Sequence, residues 1–137
     1  MNQFARYSLA AFLLFAADRV HLADAQETKA TGDVERGRYI VESVAMCERC
    51  HSPRNEAGEP DHTRRLTGAP ILQPVAGWAT YAPRLAGTPP GTDQEFVRLL
   101  ITGISRTGSP PRQPMPGFRM TRPDAEAVLA YLKSLRR

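Results

Sequence analysis

The sequence predicts an all-α fold in which three or more short helices are joined by long loops. Apolar residues recur at three- and four-residue spacing in three separate segments, and no segment alternates apolar and polar residues as a half-buried strand would. Long connections rich in proline, glycine and arginine separate the helical segments. Such connections are unusual in a compact domain, and they become understandable if something other than polypeptide occupies its centre.

The first predicted helix runs from about Gly32 to His51, and its apolar face contains Val34, Gly37, Val41 and Val44. The second helix spans about Asp93 to Thr102. There Thr92 and Glu95 form a capping box, and Gly103 ends the helix. The apolar face of this second helix consists of Phe96, Leu99 and Leu100.

The third predicted helix runs from about Pro123 to Leu135, and Thr121 and Asp124 suit its first turn. Its apolar face consists of Ala125, Val128, Leu129, Leu132 and Leu135. The long connections run from Ser52 to Gly91 and from Ser105 to Arg119. Three short helices offer few apolar side chains to bury, so a large apolar cofactor at the centre would account for both features.

The composition limits the chain to one small domain. It has 137 residues, of which 42% are hydrophobic and 23% are charged, and a second domain would leave each part too few residues to enclose a core. Two cysteines exclude a multi-disulfide scaffold and a four-cysteine metal site. The formal net charge of +4 favours docking on acidic surfaces and does not demand nucleic acid. No apolar run reaches the roughly 18 residues that are needed to span a bilayer.

Residues 1–25 predict a secretory signal peptide, which leaves residues 26–137 as the mature domain. Arg6 supplies a positive charge, Ser8 to Ala17 form a short apolar run, and Ala23 and Ala25 are the small residues of a cleavage site. The protein is therefore expected to be exported, and a bacterial periplasm fits this expectation. The alternative is a retained N-terminal anchor that contacts a membrane, although the apolar run is short for one.

Residues 47–51 read Cys-Glu-Arg-Cys-His, the C-x-x-C-H pattern that attaches c-type haem. Residues at positions i and i+3 share one face of a helical turn, so Cys47 and Cys50 can reach the two vinyl groups of one porphyrin. The next residue, His51, is then positioned to donate an imidazole nitrogen to the iron. Three alternatives are a thioredoxin-like dithiol, half of a zinc site completed by His62, and an accidental match in a helix. The first lacks a βαβ context, and the second lacks the two-histidine spacing of a zinc finger.

The sixth ligand of such an iron separates electron transfer from oxygen or peroxide chemistry. Met115 lies between two prolines, which keep the local backbone out of a helix and suit a loop that presents one side chain. Met46 adjoins the first attachment cysteine and is held on the proximal side. Met120 directly precedes the capping residue of the third helix and is more suited to packing. Met115 is therefore the predicted distal ligand, with Met120 and His62 as minor candidates.

From Gly32 onward the chain resembles a class I c-type cytochrome, particularly the small bacterial monohaem forms and the cytochrome modules of dehydrogenases. The resemblance is carried by GRYIV with Gly37 and Tyr39, CERCHSPRNEAGEP from Cys47 to Pro60, WATYAP from Trp78 to Pro83, PMPGF from Pro114 to Phe118, and AYLKSL from Ala130 to Leu135. It implies the cytochrome c fold around one covalently bound haem c.

The resemblance also implies several contacts. Gly37 would let the first and last helices approach each other, facing Tyr131 and Leu132. The haem propionates would be bound by Trp78, Tyr81 and Arg84, although each of these could equally be ordinary packing. The second ring nitrogen of His51 would donate to a backbone carbonyl near Gly68-Ala69-Pro70. Helix two follows the tyrosine segment more directly than in many relatives, and Val41 stands where some relatives have an aromatic residue.

The expected function is that of an exported electron carrier, which is not itself an enzyme and moves single electrons between larger redox proteins. Its expected partners are a dehydrogenase as donor and an oxidase or another cytochrome as acceptor. If arginines around the Met115 loop surround the haem edge, they would steer acidic partners; otherwise they are solvated loop residues. These arginines are Arg106, Arg112, Arg119 and Arg122. The alternatives are a haem c subunit held in a dehydrogenase complex, and a haem enzyme or gas sensor with a labile sixth ligand.

Overall fold

A computed structural model describes residues 33–72 and 75–135, so the predicted signal peptide lies outside the described residues. Helix α1 covers residues 33–39 and continues as a π-helical turn, Ile40–Val44. The other helices are α2 (Glu48–His51), a 3₁₀ turn (His62–Arg64), α3 (Asp93–Thr102) and α4 (Arg122–Ser134). Two short strands, β1 (Ala69–Pro70) and β2 (Tyr81–Ala82), form an antiparallel pair. The all-α class with long loops is confirmed, with this two-stranded sheet as an addition to it.

The prediction of one continuous helix from Gly32 to His51 is wrong. The Ala45 amide donates to the Ile40 carbonyl at 2.7 Å, five residues back, and Met46 then adopts a left-handed conformation with φ 48°. Helix α2 starts anew after this break. Because a π-helical turn advances each residue through a smaller angle than an α-helix does, Val44 leaves the predicted apolar face and is 56% exposed.

The predictions for the other two helices are confirmed at nearly every boundary. In α3 the Thr92 side chain accepts from the Glu95 amide at 3.2 Å, and the Glu95 carboxylate accepts from the Thr92 amide at 2.8 Å. Gly103 ends the helix in the left-handed region, with φ 66°. Helix α4 begins after Thr121, whose hydroxyl accepts from the Asp124 amide at 3.3 Å. Both helices therefore start where the local capping residues indicate.

The core forms where α1, α3 and α4 meet. A Cβ added to Gly37 would overlap the Ala127 carbonyl oxygen and lie 2.8 Å from the Tyr131 Cβ, so α1 and α4 are in backbone contact there. This confirms the expected approach of Gly37 to Tyr131, and Ala127 lies nearer still. The most deeply buried apolar side chains of this core are Val41, Leu66, Ala125 and Leu132.

A polar cluster joins α1, α2 and α4 on the outside of this core. The Arg65 guanidinium pairs with Glu42 at 2.5 Å and also with Glu48, and the Tyr131 hydroxyl donates to Glu42 at 2.6 Å. Burial opposes ionisation of Glu42, but the bonds from Tyr131 and Arg65 outweigh it and lower the Glu42 pKa. Burial and the bond to Glu42 raise the pKa of Tyr131 to about 12.

Strand pairing brings two distant loop segments together. Ala69 pairs with Ala82, and Pro70 pairs with Tyr81. Just outside the pair, the Leu66 carbonyl accepts from the amides of Leu85, at 2.9 Å, and Ala86, at 3.0 Å. These bonds fix residues 81–86 against residues 66–70. Within the described ranges, no helix is both long enough and apolar enough to cross a membrane.

Candidate haem site

An apolar cavity of about 280 Å³ lies at the centre of the described domain. Residues from α1, α2, α3, α4, β2 and the loop around Met115 border it. Its apolar walls include Val41, Leu85, Phe96, Leu100, Val128 and Leu132. All six of these side chains also belong to the hydrophobic core. The cavity is thus continuous with the core, as expected for a site that takes a large apolar group.

His51 is the last residue of α2, lines the cavity and is only 7% exposed. Its Nδ1 lies 2.7 Å from the carbonyl oxygen of Pro83, to which a protonated Nδ1 donates. Burial lowers the pKa of His51, although the bond to Pro83 acts in the opposite direction. The neutral ring with its proton on Nδ1 keeps the Nε2 lone pair available for a metal ion.

The expected position of the acceptor for His51, near Gly68-Ala69-Pro70, is wrong. The acceptor is Pro83, which directly follows the strand that pairs with β1. The Gly68 amide instead donates to the main-chain carbonyl of His51 at 2.8 Å. The segment that contains Pro83 therefore contacts the His51 ring, and the segment that contains Gly68 contacts the His51 backbone. No side-chain signal in the sequence could have identified Pro83, because every residue carries a carbonyl.

Cys47 and Cys50 both line the cavity beside His51. Cys47 is half-buried, and burial raises the pKa of its thiol to about 11, whereas Cys50 is exposed. The Cys50 and His51 amides both donate to the Cys47 carbonyl, at 3.3 and 2.9 Å, so the motif forms a single helical turn. The turn presents two thiols and one imidazole to the same apolar space.

Three methionines line the cavity, and they differ in how they pack. Met120 packs against the hydrophobic core, and its amide donates to the Leu100 carbonyl at 3.0 Å. Met46 is 45% exposed and directly precedes the attachment turn. Met115 lines the cavity but is not among the residues packed against the core. Its loop is held by the Met115 amide, which donates to the Arg112 carbonyl at 3.2 Å.

The other candidate ligand, His62, lies elsewhere. Its Nδ1 lies 3.3 Å from a carboxylate oxygen of Glu48, its side chain is 78% exposed, and it borders a different pocket. In the part of the chain that the structure describes, no three His, Cys, Asp or Glu side chains are grouped to hold a metal ion. The zinc alternative therefore has no support from the described residues.

Among the residues predicted to bind propionates, the structure brings only Tyr81 to the cavity. Trp78 is 37% exposed and does not border it, and Arg84 donates from Nε to the Ala86 carbonyl at 2.7 Å. Arg112, in contrast, borders the cavity, and sequence reasoning did not select it for this role. The position of Arg112, three residues before Met115 in the sequence, is the feature that could have indicated this placement.

The cavity residues fit a covalently bound haem. Two thiols and a buried imidazole lie on one turn, the imidazole presents its unbound nitrogen, and the remaining lining is mainly apolar. Cys47 and Cys50 would hold the haem through thioether bonds, and His51 would bind its iron.

Comparison with known proteins agrees with this fit. The sequence profile of the family "Cytochrome c" matches residues 34–136. The chain is 34% identical over 108 residues to the fructose dehydrogenase cytochrome subunit of Gluconobacter japonicus, covering 75% of this chain and 22% of that protein. It is 33% identical over 108 residues to a nicotinate dehydrogenase subunit of Pseudomonas putida, covering 73% of this chain and 9% of that protein.

A shorter match, 53% identical over 36 residues, is to a diheme cytochrome c-type protein of Cereibacter sphaeroides and covers 26% of this chain and 12% of that protein. The chain thus spans less than a quarter of the length of each of these relatives. With its family profile matched from residue 34 to residue 136, the chain belongs to the cytochrome c family, whose cofactor is a covalently bound haem c.

Proposed function

We propose that this chain is an exported electron-transfer domain that carries one electron at a time on a haem with His51 and Met115 as axial ligands. The observation that carries the proposal is that both side chains line the same apolar cavity, while Met115, unlike Met120, is not among the described residues that pack against the core. A thioether ligand opposite an imidazole favours the ferrous state, which gives a relatively high reduction potential. With both positions filled by the protein, no substrate can bind the iron without displacing Met115.

The haem, when bound, supplies the reversible one-electron chemistry of its iron. The protein orients and shields it. Pro83 fixes the plane and the protonation state of His51, and the low pKa of the buried ring keeps it neutral at neutral pH. Apolar walls such as Phe96 and Leu100 exclude water from the site. Little rearrangement of the protein is then needed when the charge of the iron changes.

We propose a dehydrogenase as the electron donor, because two of the matched relatives are named as dehydrogenase subunits. Residues 70–83 carry no charge, and the part of this segment that borders the cavity, at Ile71, Ala79 and Tyr81, supports a docking role. Within it, Leu72 is 65% exposed and Tyr81 is 54% exposed, and Tyr81 also borders the cavity. Arg112 adds a positive charge to the cavity lining. A partner with an acidic rim around an apolar centre would fit this surface.

The deciding experiment is the substitution Met115→Ala, with Met120→Ala as the matched control at a second methionine of the same cavity. Met115→Ala should keep the haem attached, lower the reduction potential and let carbon monoxide bind the ferrous iron. Met120→Ala should keep the low-spin spectrum and mainly reduce stability, by about 2–5 kcal/mol as for other core truncations. Absorption spectra, redox titration and unfolding in guanidinium measure these outcomes.

Loss of the low-spin spectrum in Met120→Ala, with no change in Met115→Ala, would assign the distal position to Met120. Rapid carbon monoxide binding by the unmodified ferrous protein would instead favour a gas sensor or haem enzyme with a labile sixth ligand. Export is tested by N-terminal sequencing of the protein recovered from the periplasm, where we expect the mature chain to begin at Gln26.

A further inference from the structure

Ser52 directly follows the proximal histidine and is one of the few polar residues in the interior. It is only 1% exposed, and its Oγ accepts a hydrogen bond from the Leu66 amide at 2.9 Å. A buried hydroxyl is retained at low cost only where it has a partner of this kind. The bond joins the end of α2 to a loop residue that is 14 positions away in sequence.

The residue that this hydroxyl holds has an unusual backbone. Leu66 adopts the left-handed region with φ 55° and is completely buried. A leucine occupies this region only where the surrounding structure compensates for the steric cost. The turn at Leu66 directs its carbonyl to the amides of Leu85, at 2.9 Å, and Ala86, at 3.0 Å.

These hydrogen bonds connect Ser52, through the loop at Leu66, to the segment that contacts the His51 imidazole. Leu85 lies two residues after Pro83, whose carbonyl oxygen is 2.7 Å from Nδ1 of His51. The Gly68 amide, two residues after Leu66, donates to the main-chain carbonyl of His51 at 2.8 Å. The position of the Pro83 carbonyl is therefore set by the same loop that Ser52 anchors.

We propose that Ser52 is a positioning residue for the haem iron: its hydroxyl holds Leu66 in the left-handed turn, and through Leu85 and Ala86 this turn aims the Pro83 carbonyl at Nδ1 of His51. A well-aligned bond from Nδ1 makes the imidazole a stronger electron donor to the metal, which favours the ferric state. Loosening this bond should therefore raise the reduction potential. The proposal rests on the proposed ligation of the iron by His51.

The test uses the full haem-loaded chain. Ser52→Ala removes the acceptor of the Leu66 amide, and Ser105→Ala is the control, because the Ser105 hydroxyl bonds only to its own exposed loop, at Thr107. Ser52→Ala should raise the midpoint potential, whereas Ser105→Ala should leave it at the value of the unmodified protein. Ser52→Thr, which keeps the hydroxyl, should bring the potential back towards that value. A structural role alone would lower stability in Ser52→Ala without moving the potential, and that result would overturn the proposal.

A measurement on the unmodified protein keeps the test decisive if the Ser52 variants fail to fold. The Leu66, Leu85 and Ala86 amides should exchange with deuterium together, because one opening event must break all three bonds. Exchange of the Leu66 amide well before the other two would overturn the proposal. Failure of the proposed function has a different signature: without ligation by His51, the unmodified protein would not show a low-spin spectrum with the His51 ring protons shifted by the iron.

Discussion

Gly37 lies against the backbone of Ala127, where an added Cβ would overlap the Ala127 carbonyl oxygen. Gly37→Ala should therefore separate α1 from α4 and destabilise the domain by about 1–3 kcal/mol, although alanine is the better helix former. Guanidinium unfolding of the haem-loaded protein measures this. Gly117→Ala is the matched control, because a Cβ there would meet no atom closer than 3.8 Å. Equal stability of the two variants would show that the helices can separate at no cost.

Burial of Tyr131, together with its hydrogen bond to Glu42, should make the fold sensitive to alkali. Because folding raises the pKa of Tyr131 from 10.0 to about 12, its contribution to stability is complete below pH 10 and is lost as the pH rises through about 12. Tyr131→Phe should cost about 1 kcal/mol at neutral pH and remove this alkaline dependence. Unfolding midpoints of the ferrous protein between pH 8 and 12 measure both effects. The exposed Tyr39→Phe should change neither, and an identical alkaline loss in Tyr131→Phe would refute the assignment.

The two thiols of the attachment turn should together account for covalent retention of the haem. Cys47→Ala and Cys50→Ala should each retain the haem through one thioether bond, and the double variant should lose it when denatured. Haem staining on a denaturing gel distinguishes the double variant from the two single variants. Persistent staining of the double variant would show that the haem is attached through some group other than these two thiols.

Arg112 should accelerate reaction with anionic redox agents, because its positive charge borders the cavity. Arg112→Gln should slow electron transfer to hexacyanoferrate(III) several-fold at low ionic strength, and the difference should shrink in 1 M salt, where the screening length is about 3 Å. Arg98→Gln removes the same charge from α3 at a residue that does not border the cavity, and stopped-flow kinetics compare the two. An equal effect of both substitutions would indicate net charge rather than local steering.

The sequence predicted those elements whose signals are local. Thr92, Glu95 and Gly103 specify both ends of α3 through bonds to their own neighbours, and Thr121 specifies the start of α4 in the same way. The haem attachment turn was equally readable, because its chemistry requires fixed spacing.

The features that escaped prediction depend on distant parts of the chain. The break after Val44 has no glycine or proline to signal it, and Met46 enters the left-handed region without a residue type that favours it. The strands are two residues long, too short for alternation to be visible. Arg84 is a predicted propionate ligand only through the family resemblance; its Nε donates to the Ala86 carbonyl and it does not border the cavity, so this role stays a prediction.

The partner of the His51 imidazole is the main-chain carbonyl of Pro83 rather than a side chain. Substitution of Pro83 removes its pyrrolidine ring but keeps the main-chain carbonyl oxygen. A mutational scan would therefore show position 83 to be more tolerant of substitution than its role suggests. We expect greater sensitivity to substitution at residues that determine the backbone conformation around Pro83, such as Leu66 and Gly68. Variants that disturb the histidine should therefore be found at positions whose side chains do not contact its imidazole.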